Sequence, residues 1–506
     1  MIRRLLFYFL LCLITASLII KPFEANIFNF RFVDEEINFI TGKWILDGVK
    51  LYDYFFNHQP IPSLLSAGIQ LFAKPNTIFL LVKRHREFIF FFSIVTWWLV
   101  SIRFGRKAWT TGLAILLTRH ALLGGLFLSE SLVIPFILYV IFLLFDLTIG
   151  KDITRIDYWL FPFSLLFVQF NLLPLTPFVI FSIIYFLCLL KRKKIILKAV
   201  IPSLIITCLF FLLLLLTMST WGYINYTIFT NLKEMIPTET KYTFIEAVKL
   251  TLFKVFEVWS MPNDIFYIFL KTVSGLLIIS WILLGIYKNW KLVFTEVFII
   301  FLLSIRPLPI GTGYSGFHFL PWFSGCIALL FFNLDLLLKK RRLAKSVLLF
   351  FLLIISTAGF VGYSEYSSLP DRFERWYINY SPAYDCGEIV RLLSLNGDTM
   401  FASPDASLIY WQSNLKPNVK YFFVFNFMQQ SEVINNQIKS DWKQNPPVFA
   451  YIEDNEAYNE LLDGGYSRLS RHGKKLNLYI RKDKLTLISH EQWQVVKELG
   501  INRVIE

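Results

Sequence analysis

Apolar runs of membrane-spanning length constrain this chain more than any other feature. The longest of them lie at residues 5–20, 88–100, 131–147, 195–218 and 346–361. They approach or reach the roughly 20 residues with which a helix crosses the hydrocarbon core of a bilayer. Only helices and closed barrels satisfy every backbone group there, and these runs lack the alternation of a barrel. Because 56% of all residues are hydrophobic, the sequence predicts a polytopic α-helical membrane protein.

Hydropathy predicts about eleven transmembrane helices. They are expected near residues 5–21, 86–102, 108–125, 130–148, 157–171, 173–190, 196–218, 264–287, 292–305, 317–337 and 346–362. A cytoplasmic N-terminus places the basic clusters at residues 103–107, 191–198 and 339–345 in cytoplasmic loops, as the positive-inside rule requires. The net charge of +14 is therefore assigned to those loops. No nucleic-acid partner is expected.

The same topology leaves a first loop (residues 22–85) and everything after about residue 363 on the outer face. Residues 1–362 are predicted to form a transmembrane domain. Beyond Gly362 the apolar runs shorten and polar residues become frequent, so residues 363–484 are predicted to form an extracytoplasmic α/β domain, with a helix and tail at 485–506. Its expected elements are helices at 385–394, 407–411 and 456–462, and strands at 399–402, 448–452 and 476–480.

The first outer loop carries the densest set of chemically active side chains. Asp34, Glu35 and Glu36 are adjacent and follow closely on the first span. After them come a surface helix at 36–46, a turn at 48–53, the sequence His58-Gln59-Pro60, and a second surface helix at 62–71. Three adjacent acids beside a membrane helix form a concentrated negative site.

This order of motifs resembles the first outer loop of the GT-C superfamily of polytopic glycosyltransferases. That group contains the dolichyl-phosphate-mannose protein mannosyltransferases and the lipid A aminoarabinose transferases. Asp34-Glu35 matches the family's acidic motif, and Ser129-Glu130 its second one. Arg306-Pro307 and His318 match a later arginine and a histidine that opens a late helix. The chain departs from the aminoarabinose type at His58-Gln59, where those relatives carry a lysine before the prolines.

The resemblance implies a membrane glycosyltransferase at the outer face of the cytoplasmic membrane. It would move one sugar from a polyprenyl-phosphate-linked donor to an acceptor protein, lipid or glycan, with inversion at the anomeric carbon. Asp34 is the implied general base, with Glu35 beside it, and Glu130 belongs to the second acidic motif. The residues implied to contact the donor phosphate or substrate are His58, Gln59, Arg306 and His318. Whether a divalent metal binds near Asp34 and Glu35 is left open.

Each of these residues also has a purely structural interpretation. Asp34, Glu35 and Glu130 can serve helix N-termini, where acidic side chains favour the positive end of the helix dipole. Arg306 can anchor a helix at the headgroups, and His318 can be an interfacial histidine.

Two further questions stay open at the level of sequence. Arg119 and His120 fall inside the predicted third span, where ionisable groups are expensive, so they indicate either function or a misplaced boundary. A different class of function also fits a polytopic chain: a transporter or flippase of lipid-linked sugars, or a polymerase or ligase of preassembled glycans. Transporters usually contain repeated halves and broken helices. The chain has no internal repeat, which favours the transferase.

Overall fold

The computed structural model describes residues 2–25, 27–28, 31–190, 193–235, 259, 265–304, 317–338, 372–403, 406–424, 426–453 and 458–503. The chain divides into two compact units. The bundle unit comprises Met1–Ile27, Arg86–Leu214 and Tyr242–Pro370. The loop unit comprises Phe28–His85, Leu215–Lys241 and Asp371–Glu506. The predicted last span at 346–362 and Arg306 lie outside the described residues.

Helices dominate the described chain. The first ten are α1 (Ile2–Ala25), α2 (Val33–Leu46), α3 (Pro60–Ala73), α4 (Ile78–Phe104), α5 (Arg106–Thr118), α6 (Ser129–Thr148), α7 (Asp157–Gln169), α8 (Thr176–Leu189), α9 (Lys193–Thr217) and α10 (Thr220–Tyr223). A π-helix at Ile224–Met235 follows α10. The later helices are α11 (Ile265–Ile286), α12 (Trp290–Leu303), α13 (Leu320–Leu338), α14 (Arg372–Leu393), α15 (Leu408–Ser413), α16 (Glu432–Gln444) and α17 (His490–Glu498).

The predicted spans before residue 340 each coincide with a helix of the described chain: α1, α4 to α9, and α11 to α13. Among the described residues, four segments are long and apolar enough to cross a bilayer: Ile78–Phe104, Ser129–Thr148, Lys198–Thr217 and Phe317–Leu337. Shorter apolar helices include Leu5–Lys21, Leu173–Leu189 and Leu270–Ile286. The chain is a helical membrane protein with C-terminal strands, as predicted, and the number of spans stays a prediction.

The bundle unit has a core built around α6 and α13. Both helices are apolar on all sides, as helices surrounded by other helices are. Leu143 and Leu329 are fully buried examples on the two helices. By contrast, α9 exposes many leucines and isoleucines, among them Leu204 and Leu209. An apolar exposed face of that kind suits contact with lipid.

The third predicted span ends earlier than expected. Helix α5 stops at Thr118, and Arg119–Leu122 form a 3₁₀ turn that Leu123 closes with a φ of 55°. The boundary predicted at residue 125 is therefore wrong. Apolar residues and glycines resume after His120 and continue to Leu128, so hydropathy alone carried the predicted span past the charged pair that marks its end.

The loop unit begins with α2 packed tightly on α3. A Cβ atom at Gly42 would lie 2.5 Å from Ser66 Oγ, so a glycine is required for this approach. Polar side chains join the same two helices: Thr41 Oγ1 lies 2.7 Å from Ser63 Oγ, and Gln70 Nε2 donates to the Phe39 carbonyl at 2.7 Å. These two helices are the surface helices predicted from the sequence, and the structure contains both.

A six-stranded sheet forms the C-terminal part of the loop unit. Its strands are β1 (Thr399–Ser403), β2 (Lys416–Pro417), β3 (Phe449–Ile452), β4 (Tyr466–Arg471), β5 (Lys474–Arg481) and β6 (Ile501–Arg503), in the order β2-β1-β3-β5-β4-β6. β1 is parallel to β2 and β3, and the remaining pairs are antiparallel. The predicted strands correspond to β1, β3 and β5. The strands β2, β4 and β6 and the helix α16 were not predicted.

The first loop and the C-terminal residues are joined within the loop unit by specific contacts. Trp411 Nε1 on α15 donates to Gln70 Oε1 at 2.8 Å, and the Ile78 amide donates to Gln412 Oε1 at 2.9 Å. The Phe55 amide donates to the Lys420 carbonyl at 2.8 Å. The loop from 22 to 85, which the sequence assigns to the transmembrane domain, thus groups from Phe28 onward with residues 371–506. The predicted domain boundaries themselves stay predictions.

Candidate active site

The three adjacent acids of the first loop all lie in the first turn of α2. The N-cap residue is Phe32, which has an extended backbone and no side chain able to accept a cap hydrogen bond. The acids are therefore not N-cap residues, although the helix dipole favours their negative charge. Their place in the first turn is compatible with the structural interpretation through the helix dipole, although none of the three is the N-cap residue.

Burial separates the three acids sharply. Glu35 and Glu36 are each 1% exposed, whereas the Asp34 side chain is 26% exposed. Glu36 receives two hydrogen bonds from Arg31, from Nε at 2.6 Å and from a terminal nitrogen at 3.1 Å. Burial nevertheless raises the pKa of Glu36 above its ordinary value, with Arg31 opposing that rise. Of the three carboxylates, Asp34 is the one a substrate can reach.

His58 faces Asp34 across the start of the loop. The distance from His58 Nε2 to Asp34 Oδ1 is 3.9 Å, which is longer than a hydrogen bond. At this distance a protonated imidazole still stabilises the carboxylate through charge. The His58 side chain is 19% exposed, so the pair is open to solvent.

The turn before His58 fixes its position. Gly48 and Tyr52 both have positive φ angles, 81° and 72°, which bend the chain back after α2. The Tyr52 hydroxyl donates to the His58 carbonyl at 2.9 Å. Burial raises the pKa of Tyr52 well above its usual value, so this hydroxyl keeps its proton and remains a donor.

The Gln59 side chain is buried and hydrogen-bonded rather than exposed to solvent. It is 6% exposed, and its Oε1 accepts a hydrogen bond from the Tyr223 hydroxyl at 3.0 Å. Burial raises the pKa of Tyr223 as well, which keeps that donor protonated. Gln59 therefore ties the start of α3 to α10, and its predicted role at the donor phosphate stays a prediction.

The second acidic motif lies in the bundle unit. Glu130 is in the first turn of α6, behind the N-cap residue Leu128, and is 1% exposed. His318 Nδ1 lies 3.2 Å from Glu130 Oε1, and the His318 side chain is 18% exposed. The structure thus joins two residues that the sequence placed 188 positions apart. We call them the bundle pair.

A divalent metal ion at this site would need ligands from the same acids. Among the described residues, no group of three or more His, Cys, Asp or Glu side chains is arranged to hold a metal ion. Glu36 is occupied by Arg31, and Glu35 is buried.

Several residues of the site were not predicted. Arg31 pairs with Glu36, Tyr52 holds the His58 carbonyl, and Tyr223 holds Gln59. An arginine five positions before an acid is a local signal that could have been noticed. Tyr223 lies 164 positions from Gln59, so nothing local in the sequence indicates their contact.

Comparison with known proteins adds information on the fold. No family model matches the chain. No curated protein matches it either. Among solved structures, the crystal structure of ArnT from Cupriavidus metallidurans bound to undecaprenyl phosphate matches with a TM-score of 0.54 over 93% of this chain and 97% of that one, at 11% sequence identity. The structure of the same protein in the apo state gives a TM-score of 0.52 with the same identity and coverage.

The chain has the GT-C fold. This confirms the resemblance that the order of motifs in the first loop predicted, and it confirms the fold class. A likeness at this identity concerns the fold and leaves substrates and residue roles to be tested. The loop and bundle sites described above are therefore the basis for a functional proposal.

Proposed function

We propose that the chain is a membrane glycosyltransferase that uses a polyprenyl-phosphate-linked sugar as donor. The GT-C fold supports this class, and the ArnT structure with the higher TM-score contains undecaprenyl phosphate. The observation that carries the proposal is the difference among the three acids. The fold buries the side chains of Glu35 and Glu36. It leaves the Asp34 side chain partly exposed in the first turn of α2, 3.9 Å from His58.

Asp34 is the general base in this proposal. An acceptor hydroxyl or amine attacks the anomeric carbon of the sugar and gives its proton to the Asp34 carboxylate. The bond from that carbon to the phosphate oxygen breaks, and its electron pair leaves with the lipid phosphate. Attack from the side opposite the phosphate inverts the anomeric configuration. His58 lies 3.9 Å from this carboxylate and, when protonated, places a positive charge beside it.

The charge on the departing phosphate needs stabilising partners. His318 of the bundle pair and Arg306 are the proposed contacts, on the strength of the motif order alone. The site is proposed to act at the outer face of the cytoplasmic membrane, on an acceptor that is a protein, lipid or glycan.

The test uses purified full-length protein in lipid nanodiscs with polyprenyl-phosphate sugars labelled in the sugar. The proposal expects release of the free lipid phosphate and a product whose anomeric configuration is opposite to that of the donor. If a vesicle assay instead finds labelled lipid moved across the bilayer with its sugar still attached, the protein is a flippase and the proposal fails. Transfer of preassembled oligosaccharides but not single sugars would assign a polymerase or ligase.

A further inference from the structure

Charged side chains buried in the bundle unit generally have partners of opposite charge or several hydrogen bonds. Arg103 binds Asp157 through Nε at 2.9 Å and through a terminal nitrogen at 2.7 Å. Lys107 pairs with Asp146. Glu296 accepts from Trp281 Nε1 at 2.6 Å and from Asn333 Nδ2 at 2.8 Å.

Arg119 differs from all of these. It is 2% exposed, yet within the described chain its guanidinium makes a single hydrogen bond, to Ser93 Oγ at 2.6 Å. Its Nε has no hydrogen-bond partner among those residues. A guanidinium has five donor hydrogens, and leaving a buried charge without a counter-ion is costly. The described residues supply no anion to this guanidinium, and an anionic ligand would satisfy its remaining donors.

The backbone around Arg119 is held in place. The Gly124 amide donates to the Arg119 carbonyl at 2.8 Å. A Cβ atom at Gly124 would lie 2.8 Å from Arg119 Cβ and 3.0 Å from Leu320 Cδ2, so this turn packs against the start of α13. That start follows directly on His318 of the bundle pair. Arg119 and the bundle pair thus belong to one region of the bundle unit.

The chemistry of the ligand follows from the donor and its location. A guanidinium presents parallel N–H groups that match the oxygens of a phosphate or carboxylate. Arg119 follows α5, towards the outer end of the predicted third span, and comes shortly before the second acidic motif. Lipid headgroups lie at the level of such a predicted span end. A lipid phosphate therefore matches the guanidinium in charge and hydrogen-bonding geometry, and it matches the predicted end of the span in depth.

We propose that Arg119 is the anion-binding residue of a phosphate site in the bundle unit, and that its ligand is the phosphate of the polyprenyl-phosphate donor. The identity of the ligand rests on the proposed function. The anion site itself rests on the burial and the incomplete hydrogen bonding of the guanidinium.

The test measures binding of undecaprenyl phosphate, without sugar or acceptor, to the full-length protein in neutral nanodiscs. Wild type, Arg119→Gln, Arg119→Lys and the control Arg106→Gln are titrated, and the melting temperature of each is measured with and without ligand. Arg106 is a matched control because it carries the same charge in the same unit but is paired with Asp335 at 2.9 Å.

The expected result is a loss of affinity of at least about tenfold in Arg119→Gln, because charged hydrogen bonds are removed. A smaller loss is expected in Arg119→Lys, which keeps the charge but loses the two-pronged geometry. Arg106→Gln should bind as wild type does. Ligand-free Arg119→Gln should melt no lower than wild type, since the change removes an unpaired buried charge. An arginine with a merely structural role predicts the reverse: lower melting temperature and unchanged affinity.

Competition distinguishes the sources of phosphate. Phosphatidylglycerol or inorganic phosphate that displaces undecaprenyl phosphate at equal concentration would overturn the donor assignment and leave a general anion site.

Unchanged affinity in Arg119→Gln would overturn the site altogether. Binding that depends on Arg119 in a protein that transfers no sugar would instead refute the proposed function alone. Sugar transfer with unchanged binding in the variant would refute this inference alone.

Discussion

The loop unit and the bundle unit each hold an acid opposite a histidine, but the two pairs are built differently. In the loop unit, Asp34 and His58 are 3.9 Å apart and both partly exposed. In the bundle unit, Glu130 and His318 are 3.2 Å apart, and the glutamate side chain is 2% exposed. An open carboxylate can exchange a proton with a substrate, whereas a buried and hydrogen-bonded one mainly orients its partner. The same residue types therefore suit different tasks.

The largest expected effect is an all-or-none difference in thiol labelling between the two regions. It tests the side of the membrane on which each region lies. In a background that lacks the five native cysteines, single cysteines replace Lys474 on β5 and Arg155 before α7, both exposed. The positive-inside rule predicts that a membrane-impermeant thiol reagent labels Lys474→Cys in intact cells. Arg155→Cys should be labelled only after permeabilisation. The opposite pattern would reverse the predicted orientation and remove Asp34 from the outer face.

Asp34→Asn should have the largest effect on catalysis. Asparagine keeps the size of the side chain but cannot take up the proton, so turnover should fall by roughly 10²–10⁴. Thermal stability should change little, because Asp34 is partly exposed and is not the N-cap residue. The measurements are release of lipid phosphate and the melting temperature of the purified variant. Near-normal turnover would exclude Asp34 as the base, and Glu35 would be tested next.

Glu36→Gln should show the opposite combination. Removing the charge from the buried partner of Arg31 should lower the free energy of unfolding by about 3 kcal/mol. Turnover per folded molecule should stay close to that of wild type, because Glu36 is 1% exposed and its carboxylate is bound to Arg31. Urea unfolding gives the first quantity, and activity normalised to folded protein gives the second. A stable but inactive Glu36→Gln would transfer the catalytic role from Asp34 to its neighbour.

Glu130→Gln should produce the smallest effect of the series. Glutamine keeps an acceptor for His318, so the loss should be about 0.5–1.5 kcal/mol, the net value of one hydrogen bond. That loss should appear as a turnover reduced less than in Asp34→Asn. Parallel kinetics of the two variants test the difference between the loop and bundle sites. A larger effect in Glu130→Gln than in Asp34→Asn would assign the base to the bundle pair.

The sequence predicted much of the fold because its main signals are local. Apolar runs identified the helices before residue 340, and the order of acids, turn and prolines identified the GT-C fold. The end of α5 at Thr118 was missed because residues 121–128 are again apolar or glycine, although Arg119 and His120 had indicated a misplaced boundary as one of two interpretations. Strand β6 was missed because three residues at a sheet edge give too short a pattern.

The sequence by itself determined that the chain enters a membrane, where the apolar helices before residue 340 lie, and that a surface helix accompanies the acids Asp34, Glu35 and Glu36. Each of these follows from residue types within one or two helical turns. Only the tertiary structure decided which acid remains open, because Glu36 is taken by Arg31 and Glu35 is buried. It also decided that Arg119 is buried without a counter-ion in the described chain. Burial is the sum of contacts from distant parts of the chain, and a sequence pattern does not contain that sum.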